Sequence, residues 1–257
     1  MAEQILKDRT ITQAWTPRDA DGLAARFAGS GARKMLETML AENAGKRIAL
    51  VSSFGSNSVV LLHLVASVDK SLPVLFIDTG KLFGSTQRYR EELTQTLGLT
   101  NVRSIGAPKN HLYERDPAGA LWLVDKTACC SLRKVEPFAE ALKDFDIWIS
   151  GRKRYQGGTR ASLPLFEADG ERLKVNPLAN WTSGDIDVYR SAFLLPQHPL
   201  VEKGYRSIGC EPCTSPVAEG EDERAGRWRG EDKTECGIHL LPQNTGLLDE
   251  AASRTFG

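Results

Sequence analysis

Short apolar runs alternate with amphipathic segments between residues 47 and 150, and this alternation restricts the fold of the 257-residue chain more than any other feature. The apolar runs predict buried strands, and the segments between them have the apolar spacing of helices. The predicted strands are residues 47–52, 73–78, 102–105 and 146–150, and the predicted helices are residues 57–68, 85–97 and 129–145. Strands that alternate with helices predict an α/β fold with a doubly wound, mostly parallel sheet.

The regions on either side of this alternation extend the predicted domain. Residues 18–42 repeat apolar side chains at helical spacing, which predicts helices within residues 1–45 that cover the sheet. Residues 163–167 and 172–176 flank an Ala-Asp-Gly turn and predict a β-hairpin. Residues 182–194 predict a further helix with an N-terminal cap.

The composition of the last part of the chain indicates a change of organisation. We expect residues 1–215 to form one α/β domain. Beyond residue 195 the chain is rich in Pro, Gly and charged residues, with too few apolar side chains for a core of its own. We therefore expect residues 216–257 to form a mobile tail that lies on the domain and carries Cys236.

Three polar loops follow the predicted strands, at Ser52–Ser58, Asp78–Gly84 and Ser150–Arg160. Open α/β sheets bind ligands at the carboxyl ends of their strands, so these loops predict a binding site. Backbone N–H groups at the start of the helix after the first loop suit a phosphate. Arginine suits bidentate contact with phosphate or sulfate, and the third loop is basic. Its cations are Arg152, Lys153, Arg154 and Arg160.

The five cysteines indicate a second functional feature. Cys129 and Cys130 are neighbours, and Cys210 and Cys213 form a C-x-x-C turn. Four thiolates can hold a [4Fe–4S] cluster or a zinc ion. Adjacent cysteines favour the cluster, because their side chains splay apart, but zinc and free thiols stay open on spacing alone. In a reducing compartment, clustered cysteines more often bind metal or act in catalysis than form disulfides.

Cys236 stands alone in the polar tail, either as an inert exposed thiol or as a nucleophile. Nearby cations would lower the pKa of its thiol and favour the reactive thiolate. A nucleophile on a mobile tail could close over a bound substrate. The nearby basic residues are Arg224, Arg227, Lys233 and His239.

Whole-chain properties exclude several classes of function. The formal net charge is +0 and no long basic tract occurs, which argues against a nucleic-acid partner. No apolar run is long enough to span a bilayer, and the start of the chain lacks a signal-peptide core, so we expect a cytoplasmic protein without membrane contact.

Seven sequence blocks occur in an order that resembles the assimilatory adenylyl-sulfate (APS) reductases, the iron–sulfur branch of the phosphoadenylyl-sulfate (PAPS) reductase family. The resemblance covers roughly residues 47–240. It implies an adenine-nucleotide α-hydrolase-like fold, and it favours a [4Fe–4S] cluster on Cys129, Cys130, Cys210 and Cys213. The blocks are Ser52–Gly55, Ile77–Gly80, Cys129–Lys134, Gly151–Arg160, Asn176–Leu178, Gly204–Thr214 and Glu235–Leu240.

The resemblance also implies a reaction and its contacts. The Cys236 thiolate attacks the sulfate sulfur of APS, AMP leaves, and reduced thioredoxin releases sulfite from the resulting S-sulfocysteine. The implied substrate contacts are Ser53, Phe54, Gly55, Ser58, Ile77, Thr79, Lys134, Gly151, Arg160, Arg224, Arg227 and His239. Two residues depart from related patterns: Asn57 replaces an acidic residue of the ATP pyrophosphatases, and Tyr155 stands where the family more often has an acidic residue.

Three other functions stay open at this point. PAPS, or both APS and PAPS, could be the substrate of the same enzyme class. An ATP-pyrophosphatase-type adenylating enzyme would share the fold, although Asn57 argues against it. A zinc or nucleic-acid-binding module is the third alternative, and the zero net charge and the Glu-Cys-Gly-Ile-His motif at residues 235–239 argue against it. A homo-oligomer also stays open.

Overall fold

A six-stranded sheet forms the centre of the protein in the computed structural model, which describes residues 14–239. The strand order is β3-β2-β1-β4-β6-β5. Neighbouring strands are parallel except that β5 runs antiparallel to β6. This arrangement confirms the predicted α/β class and the predicted hairpin. The strands are β1 Ile48–Ser52, β2 Val74–Ile77, β3 Val102–Ile105, β4 Ile147–Ile149, β5 Phe166–Asp169 and β6 Arg172–Val175.

Helices connect the parallel strands and cover the sheet. They are α1 Pro17–Arg26, α2 Ala32–Glu42, α3 Ser58–Ala66, α4 Gly84–Thr96, α5 Lys109–Arg115, α6 Leu121–Val124, α7 Lys126–Cys130, α8 Glu136–Leu142 and α9 Ser183–Ala192. The prediction of one helix over 129–145 was wrong in its start and its regularity: helical structure begins at Lys126, and Ser131–Val135 is a π-helical turn between α7 and α8. Within residues 14–239, no helix combines the length and the apolar character that crossing a bilayer requires.

Local sequence explains where two of these helices begin. Thr16 accepts a hydrogen bond from the Asp19 N–H while the Asp19 carboxylate accepts one from the Thr16 N–H, a capping box that starts α1. Thr182 and Asp185 form the same arrangement at the start of α9. The predicted N-terminal cap of this helix is therefore confirmed.

The sheet is buried on both faces, as expected for parallel strands between helices. On one face, Leu50 and Phe76 pack in the large core that includes α1, α2 and α3. On the opposite face, Ala49 and Trp148 pack with Phe138 of α8. Alternate residues of β1, β2 and β4 thus fill two separate cores, and the loops at the ends of these strands are attached to a framework fixed from both sides.

Residues 216–239, named here the C-terminal segment, lie against the domain. Trp228 and Glu235 are buried, and Ile238 packs on the core beside α8. The described part of this segment is therefore docked, with only a 3₁₀ turn at Gly237–His239 as regular helix. The rest of the predicted tail, residues 240–257, lies outside the described residues, so the division at residue 215 and the predicted mobility stay predictions.

Candidate active site

A cleft of about 200 Å³ opens where the carboxyl ends of β1 and β4 meet. The chain runs outward from β1 to β2 and β3 and then returns to β4 on the other side, so the loops after β1 and β4 diverge at this point. Ligands of open α/β sheets bind at such switch points. Three of the implied contacts, Ser53, Ile77 and Gly151, line the cleft from the strand ends.

The β1–α3 loop is held in a tight turn beside the cleft. The Gly55 N–H donates a hydrogen bond of 2.9 Å to the Ser58 hydroxyl at the start of α3. A side chain at position 55 would lie 3.2 Å from the Ile208 carbonyl oxygen, so this approach favours glycine. Asn57 and Tyr155, the two departures from related patterns, contact each other through a hydrogen bond of 3.0 Å from the Asn57 amide to the Tyr155 hydroxyl.

Two implied substrate contacts lie elsewhere. The Phe54 side chain is fully buried and packs edge-to-face on Phe76, with ring centroids 5.5 Å apart. Its left-handed backbone, with φ of 48°, directs the side chain into the core, so the side chain does not line the cleft. The Thr79 hydroxyl lies 3.3 Å from the Cys210 sulfur and lines the cavity around the cysteines instead.

Four thiols meet at a second, smaller cavity, which we call the cysteine cavity. It is lined by Cys129, Cys130, Cys210 and Cys213, and all five cysteines of the chain are free of disulfide bonds. The C-x-x-C turn is held beside the loop after β2, because the Glu211 backbone N–H donates a hydrogen bond of 2.8 Å to the Lys81 carbonyl. Across residues 14–239, no three His, Cys, Asp or Glu side chains are grouped as ligands of a single metal ion.

Lys134 connects the two sites, because it lines both the cleft and the cysteine cavity. Burial opposes its charge, but the nearby thiolates of Cys236 and Cys210 outweigh burial and raise the pKa of the Lys134 ammonium. Burial likewise opposes the Cys210 thiolate, but Lys134 and the Thr79 hydroxyl lower the pKa of Cys210. The Lys134 ammonium therefore stays charged between the Cys236 sulfur and the sulfur atoms of the cysteine cavity.

Two consecutive cations in the π-helical turn contact different neighbours. Arg133 donates a hydrogen bond of 2.9 Å to the Thr79 carbonyl and one of 2.6 Å to the Asp116 carboxylate, both on the side of the cysteine cavity. Lys134, the next residue, reaches the cleft. A π-helical turn often marks a functional site, and here it carries both of these cations.

The C-terminal segment supplies the remaining wall of the cleft. Cys236 lines the cleft together with the implied substrate contacts Arg160, Arg224, Arg227 and His239. The His239 ring stacks on Trp148 at 6.0 Å with an interplanar angle of 8°. Burial, together with Arg152 and Lys174, keeps the pKa of His239 well below its usual value, so its imidazole is neutral. The structure thus brings together the predicted nucleophile and most of its predicted neighbours.

Buried hydrogen-bonding groups without a partner concentrate at the cleft. Among the described residues, five buried side-chain nitrogen or oxygen atoms have no partner, and four of these belong to residues that line it. Arg152 Nε, Arg227 Nε and Trp228 Nε1 are N–H donors, and the fourth is His239 Nδ1. A buried donor without an acceptor costs free energy, so this wall of the cleft favours a ligand rich in oxygen atoms.

Burial has a large effect on the cations of the cleft. Burial and the neighbouring Arg160 lower the pKa of Arg224 to about 10. Burial also lowers the pKa of Lys153 to about 8, helped by Arg160. These shifts show that the cations repel one another where water is scarce, and an anionic ligand would relieve that repulsion.

Glu235 is the functional neighbour that sequence reasoning missed. Its carboxylate is buried and bonds to Arg160, which lies 75 residues earlier in the chain. Glu235 is the first residue of the Glu-Cys-Gly motif, but the motif was a signal for the cysteine alone, because a carboxylate in a polar tail is normally solvated. Its role therefore appears only when the fold places the two residues together.

Comparisons with known proteins agree with this architecture. The family model of the phosphoadenosine phosphosulfate reductase domain matches residues 47–216. A crystal structure of the phosphoadenylyl-sulfate reductase of Candida auris superposes with a TM-score of 0.65 at 22% identity, covering 79% of this chain and 98% of that one. The predicted α/β fold with a mostly parallel sheet is thereby confirmed.

Sequence relatives define the family more closely. The adenosine 5'-phosphosulfate reductase of Mesorhizobium japonicum is 48% identical over 236 residues, which cover 89% of this chain and 93% of that protein. The adenosine 5'-phosphosulfate reductase of a Chelativorans species is 55% identical over 193 residues, covering 75% and 79%. The chain belongs to the phosphoadenosine phosphosulfate reductase family, as the ordered sequence blocks predicted.

Proposed function

We propose that this protein reduces adenylyl sulfate to sulfite and AMP in sulfate assimilation, with Cys236 as the nucleophile. The observation that carries the proposal is that Cys236 shares one cleft with Lys134, Arg227 and several unpaired N–H donors. Relatives that cover most of the chain are named adenosine 5'-phosphosulfate reductases. The name fits a cleft that combines a thiol with a site for an oxygen-rich anion.

The cations offset the electrostatic repulsion that opposes the reaction. A thiolate and the sulfate group of APS are both negative, so their approach is repulsive unless positive groups lie close by. Lys134 and Arg227 lie near Cys236, and Arg227 has no carboxylate partner among its described hydrogen bonds. Donors that are already in place stabilise developing negative charge without the cost of reorganising them during the reaction.

The first step forms one bond and breaks another. Cys236 Sγ attacks the sulfate sulfur, and the bond from that sulfur to the bridging phosphate oxygen breaks. AMP leaves with that electron pair, and Cys236 becomes an S-sulfocysteine. Arg227 and Trp228, with their unpaired N–H groups at the cleft, are placed to hold the anion during transfer.

The second step requires an external dithiol, and we propose thioredoxin. One thioredoxin thiolate attacks Sγ of the S-sulfocysteine, and sulfite leaves with the electron pair of the broken S–S bond. The second thioredoxin thiol then resolves the mixed disulfide and regenerates the Cys236 thiolate. Reduced thioredoxin and a chain whose cysteines are all free both fit a cytoplasmic location.

The donor set at the cysteine cavity fits an iron–sulfur cluster. Cys129, Cys130, Cys210 and Cys213 would hold a [4Fe–4S] cluster, since four free thiols line one cavity beside the cations Arg133 and Lys134. When bound, the cluster would supply a polarisable charged centre whose field reaches the substrate. Lys134, between the two sites, would orient the anion and offset the charge of the thiolates on both sides.

Steady-state sulfite release with reduced thioredoxin tests the proposal, with APS and PAPS compared at equal concentrations. We expect sulfite from APS at a kcat/KM well above that for PAPS. Equal or higher efficiency with PAPS would support a dual-specificity or PAPS reductase instead, for which the buried Lys153 at the cleft provides an additional cation. No sulfite from either substrate, together with AMP and pyrophosphate from ATP, would favour an adenylating enzyme.

A further inference from the structure

A buried ion pair anchors the residue immediately before the proposed nucleophile. Arg160 donates from Nε and Nη2 to the two carboxylate oxygens of Glu235, and the Nη2–Oε2 distance is 2.9 Å. The side chains of both residues are less than a tenth exposed. A bidentate pair of this kind fixes orientation as well as distance, so it determines where the main chain at Glu235 lies.

A second arginine holds the same short stretch. Arg224 donates a hydrogen bond of 2.8 Å to the Thr234 carbonyl and forms a longer ion pair of 3.6 Å with Glu235. The Cys236 N–H also points to the Glu235 carboxylate, at 3.3 Å. Three consecutive residues, Thr234 to Cys236, are thus held through one carboxylate and one carbonyl by two cleft-lining arginines.

The arginines of the cleft therefore fall into two groups. Arg160 and Arg224 are engaged by Glu235, and Arg152 is engaged by Glu167. Arg227 has an unpaired Nε and no carboxylate among its described hydrogen-bond partners. Arg227 stacks on Trp228 instead, with its guanidinium carbon 4.4 Å from the ring centroid. One group has its charge satisfied by the protein, and the other presents its charge to the cleft.

We propose that Glu235 is a positioning residue that sets Cys236 over the cleft by anchoring its main chain to Arg160 and Arg224. This inference rests on the proposed function, because it concerns the delivery of the thiol to the sulfate group. Arg160 and Arg224 act through Glu235 in this arrangement, and Arg227 with Lys134 receives the substrate anion. A misplacement of the thiol by about 1 Å is enough to slow such a reaction by on the order of 10²-fold.

The carboxylate could act in the opposite sense, as a competitor that occupies the arginines until the substrate displaces it. The two roles give opposite kinetics. A positioning residue, once removed, lowers the rate of Cys236 sulfonation at saturating APS. A competitor, once removed, lets APS bind more tightly and leaves that rate unchanged or raises it.

The test uses the cluster-loaded full-length protein with the variants Glu235→Gln and Glu235→Asp. Single-turnover S-sulfonation of Cys236 is followed by mass spectrometry over a range of APS concentrations. For Glu235→Gln we expect the maximal rate to fall by about 10–100-fold. The APS concentration at half-maximal rate should change by less than about threefold. Glu235→Asp keeps the charge but is shorter, so we expect a rate between those of Glu235→Gln and the wild type.

Alkylation of Cys236 by iodoacetamide, mapped on its peptide, provides a readout without turnover. Release of the anchor should make the thiol more accessible, so we expect faster alkylation in the order wild type, Glu235→Asp, Glu235→Gln. Glu221→Gln is the matched control, because Glu221 pairs with Arg229 in the same segment at an exposed position. Its sulfonation rate should stay within about twofold of the wild type.

Three outcomes would overturn the placement of Glu235. They are an unchanged sulfonation rate in both Glu235 variants, tighter APS binding without a loss of rate, and unchanged alkylation. If Glu235→Gln is too unstable to assay, the rate and the alkylation of Glu235→Asp decide the question. A wild-type protein that forms no S-sulfonate at all would contradict the proposed function instead, so the two failures are distinguishable.

Discussion

The two walls of the cleft are held in place by different interactions. The β1–α3 loop is fixed by a parallel strand ladder and by side chains such as Phe54, buried against Phe76. The C-terminal segment is instead held by hydrogen bonds and ion pairs, among them Trp228 N–H to the Cys213 carbonyl at 3.1 Å and Arg160 to Glu235. The wall formed by the β1–α3 loop is thus tied to the core, whereas the wall that carries Cys236 depends on polar contacts with the domain.

The largest expected effect comes from removing the proposed nucleophile. Cys236→Ser should lower sulfite release by on the order of 10⁴-fold or more, because serine does not provide a thiolate. Since Cys236 lies outside the cysteine cavity, iron content and thermal stability should match the wild type. Activity assays with iron analysis and a thermal melt check both statements. Retained turnover would break the assignment of the chemistry to the C-terminal wall.

The next effect tests whether the cysteine cavity supports both walls. Cys210→Ser should lose the iron of the proposed [4Fe–4S] cluster and the brown colour that such a cluster gives, together with on the order of 10²-fold or more of activity. Cys210 contacts Thr79, and its C-x-x-C turn holds Trp228 through Cys213, so its loss disturbs the loop after β2 and the C-terminal segment at once. Iron analysis and sulfite assays measure the outcome. An active, colourless variant would mean that the cluster is dispensable. Zinc instead of iron in the wild-type protein would mean that the cysteine cavity holds a zinc ion and not a cluster.

The close packing of Gly237 on Val135 allows a test of how the C-terminal segment docks, with a smaller expected effect that a second substitution should reverse. A side chain at Gly237 would place its Cβ 2.8 Å from Val135 Cγ2 in the π-helical turn, closer than such atoms normally approach. Gly237→Ala should therefore push the segment outward and reduce sulfonation by about tenfold. Val135→Ala removes the obstructing methyl groups, so the double variant should recover much of the rate. A Gly237→Ala variant with normal activity would show that docking at this point does not matter.

A final prediction compares the pH response of a buried histidine beside α4 with that of the C-terminal wall. Burial lowers the pKa of His198 from 6.5 to about 4, and its ring contacts the Thr86 hydroxyl at 3.1 Å and the Leu200 N–H at 3.2 Å. The unfolded chain then binds more protons between pH 6.5 and 4, so stability falls as pH decreases through that window. The loss from this histidine is on the order of 3 kcal/mol. In His198→Asn, thermal unfolding should depend less on pH in this range.

The C-terminal wall should respond to acidification only at a lower pH. Burial opposes ionisation of Glu235, but Arg160 outweighs it and lowers the pKa of Glu235 below 4.5. The stabilisation from this carboxylate is complete above pH 4.5 and is lost only as pH falls through the lowered value. Alkylation of Cys236 should therefore stay constant from pH 6.5 to 5 after correction for the thiolate fraction. A rise in that interval would contradict the anchoring of Cys236 through Glu235.

Local sequence was sufficient for the framework because the required signals are local. Buried parallel strands such as β1 and β2 are continuous apolar runs, and the cap of α9 is encoded by Thr182 and Asp185 within four residues. The cysteine spacing and the ordered blocks likewise identified most residues that line the two cavities.

The parts that could not be predicted depend on contacts between distant residues. The π-helical turn interrupts a segment whose apolar spacing reads as one helix, so only tertiary packing decides where it forms. Phe54 shares its loop with true cleft residues, but its positive φ turns the side chain to the core. The pair of Arg160 with Glu235 spans 75 residues, and nothing near either residue indicates the other.

The most direct test of the central claim is to incubate the oxidant-free, cluster-loaded protein with APS and no reductant, and then to map its modification. We expect one S-sulfonate group on the Cys236 peptide, equimolar AMP, and release of sulfite when reduced thioredoxin is added. AMP formation without a sulfonate on Cys236, or a sulfonate on any of the other four cysteines, would contradict it.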